Sequence, residues 1–182
     1  MERLVSDLLR LARLDAHQEV LDLGPCEAEP LFRGVVADLA GPIGARRLTI
    51  DVAIEPEAAV VDGDPAKLRD ALWNLVDNAV KHSPEGGRIA LGARADASGI
   101  TLSVTDSGPG LSEADLVRVF ERFYRVDKSR AHDPGGTGLG LAIVKHNVEL
   151  YGGTVRVQSK SGQGATFLLL FPAKALMKLS KP

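Results

Sequence analysis

Cysteine is nearly absent: Cys26 is the only one in 182 residues. That excludes an intrachain disulfide and a cysteine-built zinc cluster, and it favours a reducing compartment. An excess of one charge sign is missing too. Lysine plus arginine is 22 and aspartate plus glutamate is 24, a formal charge of −2, so there is no electrostatic footprint for nucleic acid. Long apolar runs are also lacking. The longest uncharged stretch, Ser161 to Ala173, is well short of the roughly 18 residues that a membrane span needs. Glu2 and Arg3 open the chain inside an amphipathic pattern, which does not read as a signal peptide. What remains is 45% hydrophobic and 25% charged, an ordinary globular composition that excludes a disordered tail or a fibre. The length favours one domain with a sizeable core and room for an appendage.

Residues 2–16 read as one amphipathic helix. Leu4, Leu8, Leu11 and Ala12 recur at helical spacing, with Arg3, Asp7, Arg10 and Arg13 between them. Such a helix cannot bury its stripe alone and needs a partner. A second helix is expected from about Glu27 to Ala45, loosened by Pro42 and Gly44. The alternation from Leu48 to Ile54 predicts a strand, and Val60-Val61 a shorter one. Asp64 as N-cap and Pro65 at the first helical position start a helix that runs to about His82, where Ser83-Pro84 and Gly86-Gly87 stop it. Alternating strands follow at 89–93 and 100–104, then a short helix at 113–120. Residues 125–137 carry charge and glycine without periodicity and read as a mobile loop. A helix at 139–151 and a strand pair at 155–157 and 166–170 complete the fold, and 174–182 reads as a polar tail. The predicted class is α+β: a two-layer α/β sandwich, its sheet mixed but mainly antiparallel and mostly hairpin-linked, with helices on one face and an extra N-terminal helix.

Three features carry chemistry. On the helix at 65–82, Leu68, Leu72, Leu75 and Ala79 share one face, while Asn74, Asn78 and Lys81 share a second stripe, with His82 one turn beyond Asn78. Asparagine is a poor helix former, but its oxygen can ligate a hard cation and a nearby lysine can meet phosphate. Read alone, the stripe is also that of a solvated face. Next, Asp106-Ser-Gly108-Pro-Gly110 continues the inward register of Ile100, Leu102 and Val104. A carboxylate there needs a donor, such as the exocyclic amine of a base, and the glycines allow close approach of a flat ligand. The alternative is a strand-ending turn. Last, Gly135-Gly-Thr137-Gly138-Leu139-Gly140-Leu141 runs into a helix, an arrangement that presents backbone N–H groups to an anion. It matches neither the dinucleotide-binding fingerprint nor a P-loop, and a flexible hinge fits it as well.

Their order is more specific than any one of them. Asn-x-x-x-Asn-Ala-x-Lys, Asp-x-Gly-x-Gly, Phe120-x-x-Phe-Tyr-Arg125, Gly-Thr-Gly-Leu-Gly-Leu and Gly-x-Gly-Ala-Thr-Phe succeed one another. Together they resemble a sensor histidine kinase, whose ATP-binding domain is shared with DNA gyrase, heat-shock chaperone ATPases and the mismatch-repair protein MutL. The resemblance spans about residues 1–172. It implies that Asn78 ligates magnesium with Asn74 in support, and that Lys81 and Arg125 contact the triphosphate of ATP. His82 falls where the family often has an aromatic beside the nucleotide. Asp106 accepts from the adenine amine, and Gly108 and Gly110 shape the pocket floor. Tyr124 lies near the nucleotide, Thr137, Gly138, Leu139, Gly140 and Leu141 form the phosphate-facing end of a lid, and Thr166 lies near the adenine.

The resemblance also divides the chain. Residues 1–18 become the remnant of the second dimerisation-domain helix, 19–173 the catalytic domain, and 174–182 the tail. None of the four histidines, His17, His82, His132 and His146, stands in the family's acceptor context on a dimerisation helix. The acceptor is therefore expected on an upstream dimerisation domain, outside a fragment that is mainly monomeric, with relay to a response regulator. The fragment is expected to be cytoplasmic and its homodimeric parent membrane-anchored. The hydrolytic relatives carry a water-activating glutamate where this chain has Asn74, which cannot take a proton. That favours phosphoryl transfer to histidine over hydrolysis. The competing readings are a serine kinase of the anti-sigma-factor type and a nucleotide-gated interaction module without transfer activity.

Overall fold

The computed structural model describes residues 21–126 and 137–173. The helix expected over 2–16, the greater part of the loop expected over 125–137, and the tail 174–182 lie outside those residues.

Five strands form the main sheet: β2 (Thr49–Ile54), β4 (Arg88–Asp96), β5 (Gly99–Asp106), β6 (Thr154–Ser159) and β7 (Ala165–Pro172), in the order β2-β4-β5-β7-β6. The pairs β4–β5, β5–β7 and β6–β7 are antiparallel, while β2 lies parallel to β4 with Thr49 opposite Arg88. The sheet is thus mixed and mainly antiparallel, as expected. Alternation decides which face is covered. Ile89, Leu91 and Ala93 on β4, Leu102 and Val104 on β5, and Phe167, Leu169 and Phe171 on β7 are buried together. Thr101, Ser103 and Thr105 alternate with them on the other face and stay half-exposed.

The helices α1 (Ala28–Asp38), α3 (Pro65–His82) and α5 (Gly140–Glu149) supply the second layer. The start of α3 is as predicted: the Asp64 side chain accepts from the Ala66 and Lys67 amides at 2.9 and 3.1 Å, with Pro65 first in the helix. A third amide, that of Asp22, reaches the other oxygen at 3.1 Å. These three donors outweigh burial and hold the Asp64 carboxyl below its usual range. At the far end Ser83 turns extended because Pro84 excludes the helical conformation before it. Leu68, Ala71, Leu72, Leu75, Val76, Ala79 and Val80 bury the stripe.

Two features differ from expectation. The helix predicted over 27–45 is two, α1 and α2 (Ala40–Ala45), because Pro42 has no N–H for the Asp38 carbonyl and the chain bends at Leu39. A further strand, β1 (Gly24–Glu27), pairs antiparallel with β3 (Val60–Gly63) as a separate ribbon. Gly24-Pro25 reads as a terminator in sequence, and four residues are too few to show alternation. The helix predicted at 113–120 is α4 (Glu113–Arg118), started by a Ser112–Asp115 capping box.

Candidate functional site

The second stripe of α3 is only partly covered. Asn74 and Asn78 are half-buried, and Lys81 and His82 are exposed. The Asn74 amide nitrogen donates to the Asp70 carbonyl at 2.9 Å, one turn back. That fixes its oxygen toward Gly140, where an added Cβ would lie 3.0 Å from Asn74 Oδ1. The side chain of Asn78 makes no hydrogen bond to any described residue, so its oxygen is open to a ligand. Lys81 pairs with Asp77 at 2.6 Å on the solvent side. An exposed pair of this kind is weak and readily exchanged for another anion.

At the end of β5, Asp106 keeps the inward register and is 7% exposed. Its Oδ1 accepts from the Gly108 amide at 2.8 Å and the Ala165 amide at 3.3 Å, while Oδ2 accepts from no described residue. Burial raises the carboxyl above its usual range in spite of those two donors and the nearby His82. A Cβ at Gly108 would stand 2.8 Å from Asp106 Oδ1 and 2.9 Å from the His82 carbonyl oxygen. The turn after β5 therefore closes directly on the end of α3. Gly110 has φ +70°, and its missing Cβ would collide with the Lys160 carbonyl. Its freedom serves the contact between the 106–110 and 160–164 loops.

Thr166 is one residue out of place for the role expected of it. Its hydroxyl meets that of Thr105 at 3.0 Å on the half-exposed face of the sheet. Strand alternation puts Ala165, not Thr166, on the Asp106 side. Gly164, to which the Gly-x-Gly-Ala-Thr-Phe motif assigns no role of its own, belongs to the same corner: at φ +74° a Cβ there would collide with the Asp106 carbonyl. The signal for it was present in Gly162-x-Gly164, two glycines in a hairpin turn.

The glycine-rich segment divides by residue. Leu139 is fully buried with Ile143, so its side chain anchors the start of α5. Thr137, Gly138, Gly140 and Leu141 are partly exposed. Gly138 has φ +71° and packs on the backbone of Phe123, whose amide donates to the Gly138 carbonyl at 2.8 Å. Tyr124 is turned toward α4: its hydroxyl donates to Asp115 Oδ1 at 2.7 Å and Arg118 lies 4.4 Å from its ring centre. The Asp115 carboxylate raises the Tyr124 phenol above its usual range. Arg125 follows, half-buried.

These contacts bring the three features together. On one stripe of α3, Asn74 touches the start of α5, the His82 carbonyl touches the glycine turn beside Asp106, and Asn78 lies between the two contacts. The result is a slot with an acceptor carboxylate at one end, an open amide oxygen in the middle, and the N-terminus of a ten-residue helix at the other. It suits a ligand with an amine at one end and an anion at the other. Among the described residues no cluster of His, Cys, Asp and Glu could hold a metal unaided.

The chain belongs to the histidine kinase-, DNA gyrase B- and HSP90-like ATPase family, whose pattern matches residues 63–175. Within that family it falls among the sensor histidine kinases. It is 42% identical over 171 residues to the phosphate regulon sensor protein PhoR of Pseudomonas aeruginosa, covering 94% of this chain and 38% of PhoR. A crystal structure of full-length ShkA in complex with AMPPNP superposes with a TM-score of 0.81 at 35% identity, over 94% of this chain and 36% of that one. A structure of the mycobacterial sensor histidine kinase MprB gives 0.69 at 31% identity, over 82% of this chain and 96% of that one. The chain spans less than half the length of the curated relatives it matches.

Proposed function

We propose that this chain binds magnesium-ATP along α3 and supports transfer of the γ-phosphoryl group to a histidine presented by a dimerisation domain. The observation that carries this reading is the pair of contacts at either end of one helical stripe, Gly140 on Asn74 and Gly108 on His82, with Asn78, unengaged among the described residues, between them. In this reading Asp106 Oδ2 accepts from the adenine amine. Ala165, rather than Thr166, borders the base. Gly138 and Gly140 offer backbone N–H groups to the phosphates, and Lys81 and Arg125 neutralise charge.

The donor set fits magnesium. This ion keeps few protein ligands and completes its shell with water and substrate phosphate, which agrees with one open neutral oxygen, that of Asn78. When bound, the metal supplies charge neutralisation on the phosphates. The remaining work falls to the chain's own residues: α3 holds the nucleotide in line and the glycine backbone orients its phosphates. Asn74 accepts no proton and so leaves water unactivated. The acceptor histidine comes from a dimerisation domain, the parent acts as a homodimer, and phosphate passes on to a response regulator. No helix among the described residues is long and apolar enough to cross a membrane.

The test is transfer in trans. The chain is incubated with γ-labelled ATP and a separately prepared, histidine-bearing dimerisation domain of a sensor kinase, then quenched in alkali. Acid-labile label on the added domain, lost in Asn78→Ala, is expected. Label on serine would favour the anti-sigma-factor type of kinase, and free phosphate as the main product would identify a hydrolase.

A further inference from the structure

Asn147 is an unusual residue for its place. It is 1% exposed in the last turn of α5, among the buried Ile143, Val144 and Val148. An apolar side chain there would pack against α3 without any polar group to satisfy. Instead the Asn147 amide nitrogen donates to Asp70 Oδ2 at 2.9 Å and to the Lys67 carbonyl at 3.3 Å, both on α3. The bond to a carboxylate is the strong, directional kind. Apolar packing, by contrast, is non-directional.

The same stretch of α3 continues to the site. Asp70 offers its side chain to Asn147 and its carbonyl to Asn74, and the Asn74 oxygen meets Gly140. Two points therefore join the antiparallel helices. Lys67 and Asp70 meet Asn147 at one end, and Asn74 meets Gly140 two turns away along α5. The hydrogen bond at Asn147 and the close approach of Asn74 to Gly140 together hold the axial register and the angle of α5.

We infer that Asn147 is a positioning residue: anchored on Asp70, it sets the register of α5 on α3 and so aims the glycine-rich start of α5 at the phosphate end of the slot beside Asn78. This rests on the nucleotide reading above for its consequence, but the register itself does not depend on that reading. The base end, built from β5 and the loop at 160–164, is independent of Asn147. Loss of the anchor is therefore felt by the phosphates and not by the base.

Affinities of ATP and adenosine, both with magnesium, are measured by calorimetry for wild type, Asn147→Leu, Asp70→Asn, Asn147→Asp and the exchange Asp70→Asn with Asn147→Asp. Hydrogen exchange of amides 138–142 is followed without nucleotide. In Asn147→Leu, ATP binding is expected to weaken by about tenfold, the scale of one lost charge-assisted hydrogen bond, while adenosine binding is unchanged. Exchange at 138–142 rises more than exchange in the central strands of the sheet. The exchanged pair restores part of the ATP affinity lost in Asn147→Asp, which places two carboxylates together. An equal loss for ATP and adenosine would reduce Asn147 to general packing and overturn the inference, as would unaltered exchange at 138–142. Should wild type bind neither ligand, the nucleotide reading fails, and the exchange data still decide the register.

Discussion

Replacing Asp106 with asparagine separates base recognition from folding. The amide is the same shape, and its oxygen still accepts from the Gly108 and Ala165 amides that now reach Oδ1. Only the second oxygen changes, from an acceptor without a partner among the described residues to an N–H2 donor. Toward ATP the new group faces the adenine amine donor to donor. A hydrogen bond to a charged acceptor contributes about 1.5–3 kcal/mol, so its loss weakens ATP by roughly tenfold to a hundredfold. Toward GTP the sign reverses, because guanine presents a carbonyl acceptor in place of the amine. The ATP/GTP preference should therefore shrink from both sides. Stability should hold or rise slightly at pH 7.5, since burial disfavours the charged carboxylate and the amide removes that cost. Calorimetric titration with each nucleotide, paired with thermal melts, reads both effects. An equal loss for ATP and GTP at unchanged melting temperature would refute base recognition by Asp106, and a collapse of the fold would assign it to structure.

Acidification should mimic that substitution. Asp106 is raised by burial, so it takes up a proton at a higher pH than an ordinary carboxylate, and the two amides on Oδ1 direct the proton to Oδ2. ATP affinity should fall as pH drops through that raised value while Asp106→Asn stays flat, as read by titration across pH. Asn78→Ala should abolish the part of ATP affinity that depends on magnesium and leave the melting temperature level, because the side chain lies off the leucine stripe and alanine is the better helix former. Asp64→Ala removes a cap with three amide partners; it should cost about 1–2 kcal/mol. That carboxyl is depressed in the fold, so its contribution is present at neutral pH and is lost as pH falls through the folded value. The difference between wild type and Asp64→Ala in denaturant melts should accordingly close in acid.

Where local chemistry and the fold agree, the sequence was readable. Asp64-Pro65 and Ser83-Pro84 mark α3 to the residue, and alternation alone turns Asp106 inward. Register across strands was not readable from one strand. The neighbour of Asp106 depends on how β7 pairs with β5, with Thr105 opposite Thr166, and a shift of one residue exchanges the faces of Ala165 and Thr166. Leu139 illustrates a second limit. In a run of glycines its backbone suggests an anion loop, but its side chain is a core anchor, and only the packed structure separates the two uses. The β1–β3 ribbon and the Asp70–Asn147 bond are long-range pairings of short or single elements, which leave no periodic trace.

Hydrogen exchange with and without magnesium-ATP asks whether three separate segments of the chain form one nucleotide site. Amides at 74–82, 106–110 and 137–141 should gain protection together and at the same ligand concentration, while β2 and the β1–β3 ribbon remain unchanged. Protection confined to one of the three, or appearing elsewhere on the chain, would contradict a nucleotide slot along α3.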